Sequence, residues 1–461
     1  MDVRAGAAPV LIGRDSEMAE LLGGLDDALG GTGRLFLVVG EPGIGKSRLA
    51  DEVAGQARLR GLSVCWGRCW EAGGAPAYWP WVQVMRAWLR GREPDAVRQA
   101  VGGAAVDVVQ LLPEVSHLFP GLSSPASADP ESARFQLFDS TATFLRNAAT
   151  ADPLVLVLED LHAADTPSLL FLRFLATQLA PANVMVLATY RDIELSPEHP
   201  LTAVVADLAR EPPTRLIHLR GLGEDDVGRL VAAAGIAPTP PLASALFRET
   251  NGNPLFIKEA VRLLSAEGKM GRVEDVAALR LIVPRGVRDV IARRLGHLDG
   301  SCREMLSVAS VLGTDFTTEA LSRLCGKPDG DELRELLDRA VDNGLVGQLQ
   351  GSLGRWRFSH GLVRETLYGE LPSAQRMQQH RRAAAVLQAV YASDEASHLA
   401  ELAHHFFEAA PLGDVATAVG FCRRAAEAAA SSLAYEEAAR LYGMALTALE
   451  LDQTRDAGLV T

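Results

Sequence analysis

Leu35–Ala50 reads LFLVVGEPGIGKSRLA. Its apolar opening predicts a short buried strand, and the run from Lys46 onward begins a helical pattern. Between them, Gly40, Glu41, Pro42, Gly43, Ile44, Gly45, Lys46 and Ser47 fit G-x-x-x-x-G-K-[ST] at every specified position. The glycines let backbone N–H groups turn inward around phosphate oxygens, and the helix N-terminus adds partial positive charge. Lys46 can reach the outer phosphates, the Ser47 hydroxyl can ligate Mg²⁺, and Arg48 follows on the first helical turn. A phosphate-bearing ligand with a divalent cation is the expectation.

A second stretch, Leu154–Asp165, reads LVLVLEDLHAAD. Unpaired buried charge is expensive, so a strand ending in two carboxylates needs a positive partner. Mg²⁺ and Lys46 would supply it. Glu159 is expected to bind the metal through water, and Asp160 to orient or deprotonate an attacking water. Successive strand residues point to opposite faces, so both acids can serve only if the chain turns at Asp160. A third strand ends in LATYRD (Leu187–Asp192), which places Thr189 and Arg191 where a γ-phosphate sensor would lie. The planar guanidinium fork of Arg pairs well with phosphate oxygens.

Candidate strands at Leu35–Val39, Ser63–Trp66, Leu154–Leu158, Asn183–Thr189 and Arg215–Leu219 alternate with helical patterns. That alternation predicts a parallel sheet with helices on both faces. A helical insertion is expected over about residues 70–150, and five of the six Trp fall between Trp66 and Trp88, read as its packing core. Residues 222–280 read as short helices broken at NGNP, Asn251–Pro254. Residues 281–372 read as helices followed by a hairpin around Gly351–Gly354, a winged-helix pattern. Residues 373–461 are Ala-rich and helical, like tetratricopeptide repeats, with room for about two helix pairs. So short a solenoid must pack on the preceding domain, pair with another chain, or belong to something longer.

At 461 residues the chain exceeds one compact core. A net charge of −13 argues against non-specific coating of nucleic acid. Five Cys suit a reducing compartment, and Cys65 with Cys69 lacks the second pair that a zinc site needs. With no signal-type h-region or membrane-length apolar run, a soluble cytoplasmic protein is expected.

Taken together, GEPGIGKSRLA, LVLVLEDLHAAD, ATYRD and NGNPLFIKEAVRLL, in that order, resemble the signal-transduction ATPases with numerous domains (STAND), an AAA+-related class. The likeness is to the ATPase portion of maltose-regulator and large LuxR-type bacterial regulators. It implies an α/β P-loop NTPase domain over residues 1–221, then a helical lid, a winged helix and a repeat tail. It also implies ATP or ADP with Mg²⁺ as ligands. LIGRDSEMAELLGGL (Leu11–Leu25) resembles the family's opening Gly-Arg segment, so Gly13 and Arg14 would border the adenine. By the same resemblance, Gly252 and Pro254 of the lid would contact the base. His360, in RFSHGLVRETLYGEL, would sense the nucleotide phosphate. The family usually places Asp first in its acidic pair, whereas Glu159 stands here.

These readings predict an ATP-driven switch that hydrolyses slowly and whose nucleotide state controls domain arrangement and assembly. A motor with sustained turnover and a scaffold with a vestigial site are the rivals. The tail, residues 373–461, carries 7 Arg, no Lys and 11 acids, so it offers no basic DNA-reading helix, and a protein partner or self-assembly is expected. The basic run PRGVRDVIARRL (Pro284–Leu295) is read as a solvated face. His398, His404 and His405 are read as one helix's surface and packing.

Overall fold

The computed structural model describes residues 11–70, 73–122, 129–192, 196–266, 286–326, 330–349 and 353–451. Chain order begins α1 (Asp15–Leu29), β1 (Arg34–Val39), α2 (Lys46–Leu59) and β2 (Ser63–Arg68). The insertion follows as α3 (Trp79–Leu89), α4 (Pro94–Val101), α5 (Ala105–Leu111) and α6 (Pro130–Ala151). The sheet resumes with β3 (Leu154–Glu159), α7 (Thr166–Gln178), β4 (Val184–Tyr190), α8 (Pro200–Leu208) and β5 (Thr214–His218). Among the described residues these strands form one parallel sheet in the order β2-β3-β4-β1-β5. All five lie where the hydrophobic runs put them.

Every residue of β3 and β4 is buried, as expected for parallel strands covered on both faces. Alternation sorts their side chains. Leu154, Leu156 and Leu158 join the large core on the insertion side. Val155 and Val157 join the core beneath α1 and α2. By the same period Glu159 emerges on the face of α2, the helix that follows the glycine-rich loop. The aromatic run is core: Tyr78 and Trp81 are fully buried, with Trp81 edge-on to Phe171 at 4.7 Å.

Next come α9 (Glu224–Ala233), α10 (Pro240–Thr250) and α11 (Pro254–Ala266), which bury their own apolar cluster around Leu222, Leu246 and Ile257. A winged-helix arrangement follows: α12 (Val287–Leu295), α13 (Gly300–Leu312), β6 (Asp315–Thr317), α14 (Thr318–Cys325), α15 (Gly330–Asp342), β7 (Val346–Gln348), β8 (Arg355–Phe358) and α16 (Gly361–Glu370). Its strands form an antiparallel sheet, β6-β8-β7. The hairpin is where its pattern predicts, but β6 is not anticipated, because three residues are too few to show alternation. Pro284 and Arg285 of the basic run, and Gly351 at the expected hairpin tip, lie outside the described residues.

The tail is α17 (Ser373–Val390), α18 (Leu399–Ala409), α19 (Val415–Ser431) and α20 (Tyr435–Glu450). Of the three fates open to so short a solenoid, packing on the preceding domain is realised. Helix α17 lies on α13 and α14 of the winged-helix part, with Arg382 donating to the Leu324 carbonyl. The tail also reaches the first domain, where α20 lies on α7, Arg134 pairs with Glu436 at 2.8 Å, and Gly74 abuts the carbonyl of Ala400. The histidines pack as read but do not all lie on one helix. His398 ends a separate 3₁₀ turn ahead of α18, and His405 is core, only 2 % exposed. Among the described residues no helix is long and apolar enough to cross a membrane.

Candidate functional site

The C-terminal ends of β1, β3 and β4 converge beside the point where strand order reverses, the usual ligand crevice of an open α/β sheet. A cavity of about 460 Å³ opens there, of a size for one small ligand. Pro42, Gly43, Gly45, Lys46, Ser47 and Arg48 form its floor, Glu159, Asp160 and Arg191 one wall, and Lys258, Ser359 and His360 the other. Lys46, Arg48, Arg68, Arg191, Lys258, Arg355 and Arg357 line it against Asp51, Glu159, Asp160 and Asp315, so cations are in excess. In a chain of net charge −13 this local reversal suits a polyanion.

The glycine-rich loop joins β1 to α2, and Gly45 takes a left-handed conformation at the N-cap of α2. Its carbonyls face away from the cavity onto protein donors. Lys46 Nζ donates to the carbonyls of Gly40 (2.7 Å) and Glu41 (3.1 Å). Asn253 Nδ2 donates to Pro42 (3.0 Å), the Leu255 amide to Gly43 (3.2 Å), and Arg14 Nη2 to Ile44 (3.1 Å). Gly43 has φ +80°, and a Cβ there would come within 2.5 Å of Leu255 Cβ, so only glycine fits.

Glu159 and Asp160 both reach the cavity because the chain does turn. Asp160 adopts φ +60°, ψ +48°, a conformation Asp tolerates better than most residues, and its amide donates to Thr189 Oγ1 at 3.1 Å. Glu159 is 1 % exposed. One of its oxygens pairs with Arg68, which the β2–β3 register sets directly alongside. Its other oxygen, Oε1, is buried without a hydrogen-bond partner. An orphaned carboxylate oxygen costs free energy that a cation would recover, so this donor fits Mg²⁺, with the Ser47 hydroxyl also open to the cavity.

Arg191 is 7 % exposed, and Nη1 donates to Glu365 Oε1 of α16 at 3.0 Å. Arg288 of α12 holds the other oxygen of Glu365 at 2.5 Å. His360 precedes the first residue of α16 and lines the cavity. Desolvation, reinforced by Lys258, Arg262 and Arg294, pushes its imidazole down to about 4. Desolvation also lowers the Lys258 ammonium, with Arg262 and Arg48 adding to the effect. Surplus cations facing one space would be relieved by an anionic ligand.

Gly13, Arg14, Gly252 and Pro254 do not form the cavity wall. Arg14 is buried behind the loop, also donating to the Arg220 carbonyl at 2.7 Å. Gly252 (φ +71°) is wedged on Leu222, whose carbonyl would lie 2.2 Å from a Cβ. Arg68 and Lys258 line the cavity, Asn253 and Glu365 hold its lining residues Pro42 and Arg191, and all four escape motif reading. Strand order would have exposed Arg68, since β2 next to β3 makes it the neighbour of Glu159.

A glycine-rich phosphate cradle between strand and helix, with an acidic strand end beside it, is the arrangement of a P-loop nucleotide-binding domain. Residues 10–187 match the AAA ATPase domain family. That match covers under half of the chain, and the fold of the chain is that of a STAND-class P-loop ATPase. An uncharacterized protein of Rhizobium meliloti (strain 1021) is 26% identical over 394 residues, covering 81% of this chain and 36% of that protein. A STAND protein with a tetratricopeptide repeat sensor from Pyrococcus horikoshii superposes with TM-score 0.51 at 13% identity, covering 96% of this chain and 65% of that one. A Walker-type ATPase of Pyrococcus abyssi gives TM-score 0.34 at 13% identity, covering 79% and 99% respectively. The chain thus spans about a third of the bacterial relative and under two thirds of the first archaeal one.

Proposed function

We propose that this protein is an ATP-binding switch that hydrolyses slowly, its nucleotide state setting how the winged-helix part and tail are held against the ATPase domain. Lys46 and the loop amides would bind the β- and γ-phosphates. Ser47 and Glu159 would hold Mg²⁺, which when bound neutralises phosphate charge. Asp160, turned into the cavity, would accept a proton from the attacking water. The base would lie toward the segment containing Gly13, Arg14, Gly252 and Pro254, and His360 would read the phosphate end.

The observation that carries the switch reading is the position of Arg191. A working sensor must touch the γ-phosphate, and Arg191, which lines the cavity, has its Nη1 on Glu365 of the winged-helix side. Phosphate contact and domain docking therefore compete for one side chain, and such competition lets a ligand shift a conformational equilibrium. Purified protein is expected to bind Mg–ATP at one site per chain and to turn over on the order of 10⁻² per second or slower. Absence of nucleotide uptake would remove the reading, and fast turnover without a ligand would favour a motor. The tail would receive a protein partner or mediate self-assembly.

Glu365→Gln tests the competition directly. It removes the charge that holds Arg191 while keeping shape, so turnover is expected to rise about tenfold or more, a small part of what a catalytic arginine can supply. Unchanged turnover would mean that Arg191 has no role at the phosphate.

A further inference from the structure

The segment Glu41-Pro42-Gly43-Ile44 is a reverse turn closed by the Ile44 amide donating to the Glu41 carbonyl at 3.2 Å. Proline stands at its second position and glycine, with φ +80°, at its third, which makes it a type II turn. Type I and type II turns differ mainly in the orientation of the central peptide, here the bond between Pro42 and Gly43. Pro42 suits both, and glycine, free at either sign of φ, does not hold one against the other.

The side chain of Asn253 supplies what the turn lacks. It is 8 % exposed, and Nδ2 donates to the Pro42 carbonyl at 3.0 Å. Its Oδ1 accepts from the amides of Leu255 (3.1 Å) and Phe256 (3.3 Å), capping α11. The amide is thereby oriented from both ends. A peptide unit is planar with its C=O and N–H pointing opposite ways, so a Pro42 carbonyl held toward Asn253 sends the Gly43 N–H toward the cavity. In the flipped turn a carbonyl oxygen would face the phosphates in place of an N–H.

We propose that Asn253 is a positioning residue for phosphate binding, locking the Pro42–Gly43 peptide in the orientation that donates to the ligand. The proposal rests on the nucleotide-site reading above. It gives the lid a role at the phosphates, separate from any contact with the base.

Two variants separate this role from capping. Asn253→Ser keeps a good N-cap acceptor but is too short to reach Pro42, and Asn253→Asp keeps the cap oxygens and loses the donor. Thermal midpoints, and affinities for Mg–ATP and for inorganic tripolyphosphate, are measured by calorimetry on the full chain. Both variants are expected to lose affinity about tenfold or more, by the same factor for the two ligands, with midpoints within a few degrees of the parent. Parent-like affinity in either variant would overturn the proposal. So would a loss confined to ATP, which would mean a base contact, or a loss in Asn253→Asp alone, which would mean charge repulsion. Should Asn253→Ser not fold, Asn253→Asp is read at high salt, where a persistent equal loss supports the lock and recovery refutes it. If the parent binds neither ligand, the nucleotide-site reading fails and not the lock.

Discussion

Lys46→Ala is expected to weaken Mg–ATP binding by about 10²–10³-fold while moving the thermal midpoint by less than about 5 °C. The two effects separate because Lys46 serves the ligand more than the fold. Its Nζ donates to the Gly40 and Glu41 carbonyls, at 2.7 Å and 3.1 Å, and an arriving phosphate offers stronger, charged acceptors. Charge-assisted hydrogen bonds contribute about 1.5–3 kcal/mol each, so losing the ammonium costs about 3–4 kcal/mol of binding, which converts to the stated range. The loop itself keeps its other supports. Asn253, the Leu255 amide and Arg14 still hold the carbonyls of Pro42, Gly43 and Ile44. Titration calorimetry and thermal melts of the same preparations check both halves. Affinity within threefold of the parent would separate this loop from nucleotide binding.

Acid is expected to loosen the junction between winged helix and tail. His380, His404 and His405 meet there, with His380 Nδ1 and His405 Nδ1 2.9 Å apart and Tyr368 Oη 2.9 Å from His380 Nε2. Desolvation pushes His380 down to about 3 and His404 to about 4, and it holds His405 well below the ordinary value. Arg364 faces all three, Arg376 faces His380, and Arg440 faces His404, so nearby charge acts in the same sense. Folded values below the unfolded one mean that unfolding takes up protons. This stability is complete above about pH 6.5 and is lost as pH falls toward the folded values.

At about pH 5 His380 and His404 each forfeit about 2 kcal/mol, and His405 acts in the same direction. Buried carboxyls act the other way. Burial raises Asp165 and Asp315 to about 6 and also raises Asp51, Glu401 and Glu408, so their protonation favours folding as pH falls. His360, pushed down to about 4, acts with the three histidines. The histidines are expected to outweigh the carboxyls, leaving a net loss of stability between about pH 7 and about pH 5. Circular dichroism melts at the two pH values measure it. His380→Gln, which keeps a hydrogen-bonding side chain without the charge, is expected to flatten the dependence. An equal dependence in that variant would place the acid sensitivity elsewhere.

Sheet, phosphate loop and acidic strand end were legible because each depends on neighbours in the chain. Apolar runs such as Leu35–Val39 mark buried strands at any position in a fold. The loop motif is eight contiguous residues, so it can be read without knowing what packs around it. That both acids could serve only if the chain turned at Asp160 also followed from strand alternation. Whether it turned did not, because the turn is held by Thr189, 29 residues away on another strand.

The rest of the site is made of partners remote in sequence. Arg68 meets Glu159 across 91 residues, Arg191 meets Glu365 across 174, and Asn253 meets Pro42 across 211. No periodicity encodes such pairs, since each depends on strand order or on how two separately folded parts dock. Composition and local pattern establish that this chain builds a phosphate-binding α/β domain followed by helical parts. Which side chains surround the loop, and that Arg191 is tied to the winged helix, follow only once packing brings distant segments together, because hydrogen bonds and ion pairs act over a few ångströms whatever the separation along the chain.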